Sequence, residues 1–234
     1  MALPKMNTSP RYELSLPSTG ETYRYRPFLV KEEKILLIAM ESQNAKDIYN
    51  AIMDTITNCV PDLDASKLSS FDVEYVFLMI RAKSVGESVD LNFKCSECET
   101  PNEVSINLES IKIDNENPKD KMIKLSEDIT LEMKYPTYRD IMRKIDTDDN
   151  QVDQTFKMIA MCMAAVHTEE ERTSVADESD EEVQAFVESL GSKQLQDILA
   201  FIDAVPKLSH TLKYTCVKCE HENEQLLEGL QDFF

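Results

Sequence analysis

Four of the six cysteines fall into two CxxC pairs that could bind one metal ion together. Cys95 and Cys98 form the first pair, and Cys216 and Cys219 form the second. Both pairs follow the same pattern: leucine, any residue, an aromatic residue and any residue precede the cysteines, and glutamate follows them. Because four thiolates complete a closed tetrahedral zinc site, the pattern predicts one structural Zn²⁺ per chain.

The residues before each pair alternate between apolar and polar, as expected of a half-buried strand. Val89, Leu91 and Phe93 precede the first pair, and Leu212 and Tyr214 precede the second. Each segment therefore predicts a strand that ends in a tight turn carrying two sulfurs. The pairs lie much further apart than the roughly 15–20 residues usual between CxxC pairs. The predicted site is consequently discontinuous and zinc-ribbon-like.

The sequence allows two alternatives to a zinc site: the four cysteines could be unmetallated buried thiols, or they could form two disulfides. Disulfides are disfavoured because the N-terminus lacks the basic start and apolar core of a secretory signal. No run approaches about 18 apolar residues, so no membrane span is predicted either. We expect a cytoplasmic protein.

The periodicities along the chain predict an α+β fold. An antiparallel sheet carries the discontinuous zinc-ribbon-like four-cysteine site, interrupted by a helical insertion and preceded by a hairpin and N-terminal helices. The predicted domains are residues 1–86 for the hairpin and helices, 87–135 with 207–234 for the zinc-bearing sheet, and 136–206 for the helical insertion.

Three local expectations accompany this fold. The apolar run at residues 35–40 is predicted to be buried within a helix over 31–43. The alternation at residues 129–133 predicts a further strand in the zinc-bearing part. The acidic, polar stretch from His167 to Ser179 predicts an exposed or mobile loop.

The formal net charge of −19 disfavours nucleic acid as a partner, since phosphate backbones would repel the chain. The four glycines are scattered, so no phosphate-binding loop or dinucleotide fingerprint can form. The regions around the cysteine pairs are acidic as well, which favours a structural role or a protein partner. They contain Glu97, Glu99, Glu103, Glu220, Glu222 and Glu224 against Lys94 and Lys218.

No catalytic constellation is predicted. His167 and Cys162 stand five residues apart on a predicted helix and would point to different faces. His210 and His221 flank the second cysteine pair and could lie at the surface, support the metal ligands or replace one of them. Cys162 and Cys59 lie on apolar helix faces and are predicted to be buried thiols.

One basic region interrupts the acidic chain and carries a family resemblance. The segment from Tyr25 to Leu37, with its Arg-Pro-Phe and Lys-Glu-Glu-Lys motifs, resembles the baseplate hub assembly proteins of T-even-type contractile-tailed bacteriophages. The order of elements extends the resemblance over most of the chain. It implies a non-enzymatic late protein, an assembly chaperone or minor hub subunit. Such a protein acts in the host cytoplasm during assembly, and a minor hub subunit would also persist in the baseplate of the virion tail.

The implied partners are other baseplate hub and tail proteins, with no small-molecule substrate. The residues predicted to bind them are Arg24, Arg26, Phe28, Lys31 and Lys34, although a solvated basic face would have the same composition. The double CxxC pattern supports a different function, a zinc-ribbon regulatory protein that binds nucleic acid or transcription machinery. The net charge argues against that alternative.

Overall fold

The computed structural model describes residues 9–114, 121–144 and 150–233, and the predicted α+β class with antiparallel sheets is confirmed. Seven α-helices lie within these residues. They are α1 (Val30–Ser42), α2 (Ala45–Cys59), α3 (Ser70–Ser84), α4 (Tyr138–Lys144), α5 (Gln151–Cys162), α6 (Asp180–Glu188) and α7 (Ser192–Asp203).

Eleven strands form four antiparallel sheets in the same described residues. One sheet pairs β1 with β2, and another pairs β3 with β4. In the third sheet β10 lies between β11 and β5, and the fourth contains β6 through β9 in order. The strands are β1 (Tyr12–Ser15), β2 (Thr22–Tyr25), β3 (Ser88–Lys94), β4 (Pro101–Asn107), β5 (Lys112–Asp114), β6 (Met122–Lys124), β7 (Thr130–Met133), β8 (Met163–His167), β9 (Arg172–Ser174), β10 (Lys207–Thr215) and β11 (Glu222–Glu228).

The chain packs as two compact units. The first takes residues 1–114 and 207–234, and the second takes residues 115–206. The three-domain division at residues 86, 135 and 206 stays a prediction.

Helix α3 forms the centre of the first unit. Its N-terminus is capped by Ser69, whose side chain accepts from the backbone N–H of Asp72. The apolar residues that follow are almost fully buried, so this helix supplies the surface on which neighbouring elements pack. They include Phe71, Val73, Val76, Phe77, Leu78 and Ile80.

The second unit has its own hydrophobic core, built between a four-stranded sheet and helices α5 to α7. Leu131 and Met133 from β7 are buried against Ile159 of α5 and Ile198 and Phe201 of α7. Among the described residues, no helix of either unit is long and apolar enough to cross a membrane.

The segment predicted as a helical insertion also contains two strands. Residues 163–167 form β8 and residues 172–174 form β9, so the predicted loop from His167 to Ser179 is wrong over this hairpin. The apolar run that ends α5 continues directly into β8, and a short apolar run cannot be assigned to helix or strand by periodicity alone.

The strand predicted at residues 129–133 exists as β7, but its partners differ from the expectation. It pairs with β6 and β8 in the second unit and not with the cysteine-bearing hairpins. Alternation identifies which side chains share a face, whereas the strand partner depends on contacts distant in sequence.

Candidate metal centre

The two CxxC pairs meet at one point in the first unit. The Sγ atoms of Cys95 and Cys219 are 3.6 Å apart, and those of Cys98 and Cys216 are also 3.6 Å apart. All four sulfurs lie within 4.8 Å of one another. We call these four cysteines, together with the hairpins β3–β4 and β10–β11 that carry them, the clasp.

Each half of the clasp is a hairpin with the same turn. The backbone N–H of Glu99 donates to the carbonyl of Cys95 at 3.0 Å, and Glu220 donates to Cys216 at 3.1 Å. Glu99 and Glu220 both adopt the left-handed backbone conformation, with φ of 55° and 59°. Non-glycine residues rarely adopt this conformation, so its occurrence at equivalent positions shows that both turns share one local fold.

Two asparagines join the halves of the clasp. Asn102 Oδ1 accepts from the backbone N–H of Val217 at 2.9 Å, and Asn223 Oδ1 accepts from that of Ser96 at 2.9 Å. Both asparagines are buried, with exposed fractions of 3% and 7%. Each side chain therefore caps the turn of the opposite hairpin, and the bond gives the buried amide oxygen of the asparagine a donor that it would otherwise lack.

The asparagines were not singled out by the sequence, although a signal was present. Each one stands four residues after the second cysteine of its pair, so the repeat extends beyond the CxxC-Glu pattern. The aromatic residues of the repeat also meet, since the rings of Phe93 and Tyr214 are 6.0 Å apart and the Tyr214 hydroxyl donates to the Lys94 carbonyl at 3.1 Å.

The turn backbone favours the thiolate form of the first cysteine in the second pair. The backbone N–H groups of Cys219 and Lys218 point toward the Cys216 sulfur and lower its pKa to about 6. The backbone nitrogen of Lys218 lies 3.4 Å from the Cys216 Sγ atom. A thiolate is the form of cysteine that binds metal, so the turn prepares this ligand.

The sulfur geometry fits a four-coordinate ion with soft ligands. Zinc–sulfur bonds of about 2.3 Å in a tetrahedron separate the sulfurs by roughly 3.8 Å, close to the 3.6 Å of the two measured pairs. Both separations are far longer than the about 2.05 Å of a disulfide bond, and all four cysteines are free thiols. Four cysteines close together can therefore hold a metal ion.

The histidines take no part in this cluster. Among the described residues, the group able to hold a metal consists of the four cysteines, without His210 or His221. The backbone carbonyl of His221 supports the clasp instead, because it accepts from the backbone N–H of Cys216 at 2.8 Å.

Cys162 and His167, which the sequence predicted to point to different faces, lie in different environments. Cys162 is fully buried, and burial raises the pKa of its thiol to about 12. His167 Nε2 lies 2.8 Å from Glu132 Oε2, which also bonds to Arg172. Cys59 is buried too, and its pKa is raised by burial to about 11. The predictions that Cys59 and Cys162 are buried thiols are confirmed.

The predicted partner-binding residues divide into two groups. Arg24, Lys31 and Lys34 are exposed, whereas Phe28 is half-buried and the Arg26 side chain is 22% exposed. Arg26 Nη2 donates to Glu32 Oε1 at 2.9 Å. Arg26 thus takes part in the internal structure at the start of α1.

Four of the six apolar residues at 35–40 in α1 are exposed, so the prediction that this run is buried is wrong apart from Ala39, which is buried, and Leu36, which is half-buried. Ile35, Leu37, Ile38 and Met40 are 48–57% exposed, while Glu32 is only 3% exposed. Glu32 faces inward because its carboxylate accepts from both Arg26 and the backbone N–H of Leu29, each at 2.9 Å. These bonds fix which side of the helix is outward.

The fold and the clasp define the class of protein: an α+β chain with a four-cysteine centre between two hairpins. Cys98 and Cys216, one from each hairpin, are 118 residues apart in the sequence. The chain belongs to the T4 bacteriophage base plate protein family, whose model matches residues 9–234. No curated protein and no solved structure matches the chain.

Membership confirms the resemblance to T4-type phage baseplate proteins. It indicates a structural role in the baseplate of the virion tail, with other phage baseplate proteins as partners.

Proposed function

We propose that the protein is a non-enzymatic assembly factor of the baseplate hub, acting as a chaperone or a minor hub subunit through protein–protein contacts. The observation that carries the proposal is the baseplate family match over residues 9–234. The resemblance of the Tyr25–Leu37 segment to hub assembly proteins supports the hub in particular. Assembly in the host cytoplasm late in infection is part of the proposal.

The clasp binds one structural zinc ion in this proposal. Cys95, Cys98, Cys216 and Cys219 would hold it, and four thiolates leave no position open for a catalytic water. When bound, zinc would supply a fixed link between two hairpins that are otherwise far apart in the chain. The buried asparagines would then keep the two turns in register.

The exposed side of the basic segment is the proposed partner surface. Arg24, Phe28, Lys31 and Lys34 are available there to an acidic or amphipathic partner, whereas Arg26 acts indirectly by holding the start of α1. The clasp itself is a poor nucleic-acid surface, because its exposed residues include Glu97, Glu99, Glu103, Glu220, Glu222 and Glu224.

Co-expression with the hub and tail proteins of the same phage tests the proposal. We expect a stable complex on size-exclusion chromatography that Lys34→Glu weakens without changing the melting temperature. Lys31 is left unchanged in this test, because its Nζ lies 3.2 Å from the buried Glu32 carboxylate. Lys193→Glu makes the same change in charge at another exposed lysine and is the control. If no hub or tail protein co-purifies, the hub assignment is wrong.

A further inference from the structure

Helix α1 carries the largest concentration of exposed apolar side chains among the described residues. Of eleven exposed large hydrophobic residues, six lie between Leu29 and Met40. Val30 is 78% exposed, and the others are between 44% and 57% exposed. Contiguous exposed apolar surface of this kind marks an interaction site in a water-soluble fold.

The outward orientation of this surface is fixed by the interior. Glu32 and Ala39, both buried, define the inward side of α1, and Glu32 is held by Arg26 and by the N–H of Leu29. Turning the apolar residues inward would expose Ala39 and break these bonds. The exposed surface is therefore a stable feature of the helix.

The outward side of α1 has a charge pattern that complements itself. Lys34, Leu37, Ile38 and Glu41 follow the i, i+3, i+4, i+7 spacing and so form one stripe, with a cation at one end and an anion at the other. All four are exposed. Ile35 lies beside Ile38 on one flank, and Met40 lies beside Leu37 on the other.

We propose that a second copy of this chain docks on α1 in an antiparallel two-fold pair. With the two-fold axis between residues 37 and 38, Lys34 lies opposite Glu41 of the other copy, and this contact occurs twice. Ile35 and Ile38 then lie against Ile35 and Ile38 of the second copy. Leu37 and Met40 likewise lie against the same two residues of that copy. We call this surface, residues 34–41 of α1, the α1 dimer face.

Self-complementarity selects a second copy over a partner of unspecified sequence. Chains with a net charge of −19 repel one another, and Lys34 provides a cation where two copies would approach. A parallel pair would place like charges together, with Lys34 near Lys34 and Glu41 near Glu41. The antiparallel pair places opposite charges at both ends.

The dimer should be weak, because its interface is small. A helix of 13 residues is about 20 Å long, and one helix pair buries less than the roughly 1,200 Å² of a stable interface. We expect a dissociation constant on the order of 100 μM, which dense packing of copies in an assembly would overcome. The inference goes beyond the proposed function, since it concerns the isolated chain.

Sedimentation equilibrium of the full chain, loaded from about 5 μM to 1 mM in buffer with 0.15 M salt, tests the inference. We expect concentration-dependent dimers. Lys34→Glu and Glu41→Lys should each weaken dimerisation at least about tenfold, and the two together should restore it. Glu41→Lys is the decisive single change, because it lowers the overall repulsion and yet should weaken the dimer.

Two controls separate the proposed contact from general effects. Lys193→Glu changes the net charge as Lys34→Glu does and should leave dimerisation unchanged. Leu37→Gln should weaken the dimer, whereas Val152→Gln should leave it unchanged. The two are matched because Leu37 is 56% exposed on α1 and Val152 is 64% exposed on α5.

A monomer at every concentration overturns the inference, as does a double charge reversal that fails to restore the dimer. If the chain stays monomeric while α1 variants lose a baseplate partner, the face belongs to that partner and the proposed function stands. A dimer without any hub complex gives the opposite result, so the two proposals can fail separately.

Discussion

The clasp and helix α1 place polar and apolar groups in opposite ways within the first unit. In the clasp, Asn102 and Asn223 are buried together with Cys95 and Cys216, Cys98 is half-buried, and Cys219 is exposed at an acidic rim. In α1, apolar side chains are exposed while a glutamate is buried. The clasp satisfies its own polar groups and so contributes to stability. The α1 surface leaves its apolar area uncovered and so is available for association.

Among the predicted changes, removal of the proposed zinc ligands should have the largest effect on stability. Structural zinc in small domains contributes about 10–16 kcal/mol, comparable to the stability of a whole domain. Cys98→Ser, or a strong chelator, should therefore abolish metal binding and unfold the clasp hairpins. Metal analysis and thermal melting measure the change.

Cys162→Ala is the matched control for that experiment, because Cys162 is a buried cysteine of the second unit. It should retain about one zinc per chain. Metal-free wild-type protein with an unchanged melting temperature would contradict a structural role for the ion.

The attachment of the clasp to α3 should depend on pH through Glu74. Burial raises the pKa of this carboxyl to about 7, although the backbone N–H of Leu208 on β10 opposes the shift. The folded protein therefore binds more protons than the unfolded chain between about pH 4.5 and pH 7. The contribution of Glu74 to the free energy of unfolding is most favourable below this window. As pH rises through the window, up to about 3 kcal/mol of this contribution is lost.

Urea unfolding of the wild type and of Glu74→Gln from pH 5.5 to pH 8 measures this contribution. The free energy of unfolding of the wild type relative to the variant should fall as pH rises. Parallel curves for the two proteins would show that Glu74 titrates in the same range whether folded or unfolded.

At α1, the cation of Arg26 is paired with a buried carboxylate, whereas the cation of Lys34 is exposed. Replacing the first should therefore affect stability more than replacing the second. Arg26→Gln leaves the buried Glu32 carboxylate without one of its cations and should cost about 2 kcal/mol in the free energy of unfolding. Lys34 is exposed, so Lys34→Gln should change stability by less than about 0.5 kcal/mol. Chemical denaturation compares the two, and equal effects would remove the distinction.

The asparagines of the clasp should each contribute somewhat less to stability than Arg26. Asn102→Ala removes the acceptor for the N–H of Val217 and should cost about 1–2 kcal/mol, and Asn223→Ala should cost a similar amount through Ser96. Asn92→Ala, in the same hairpin at an exposed position, is the control. Hydrogen exchange at Val217 and Ser96 should accelerate in the corresponding variant, and unchanged protection would show that the bonds contribute nothing.

Local patterns in the sequence predicted much of the first unit. The repeat at Cys95 and Cys216 identified two strands, two turns and one sulfur site, because each depends on residues that are neighbours along the chain. The helix caps at Asn44 and Ser69 are local in the same sense, since an N-cap side chain bonds within its own first turn.

The sequence by itself determined these local elements and the acidic character of the surface. The tertiary structure decided which strands pair with β7, that Asn102 and Asn223 cross between hairpins, and that α1 turns Leu37 and Ile38 outward. The physical reason is the same in each case. Periodicity shows that a segment has an apolar side, but only the contacts made by distant residues decide whether the protein itself covers that side.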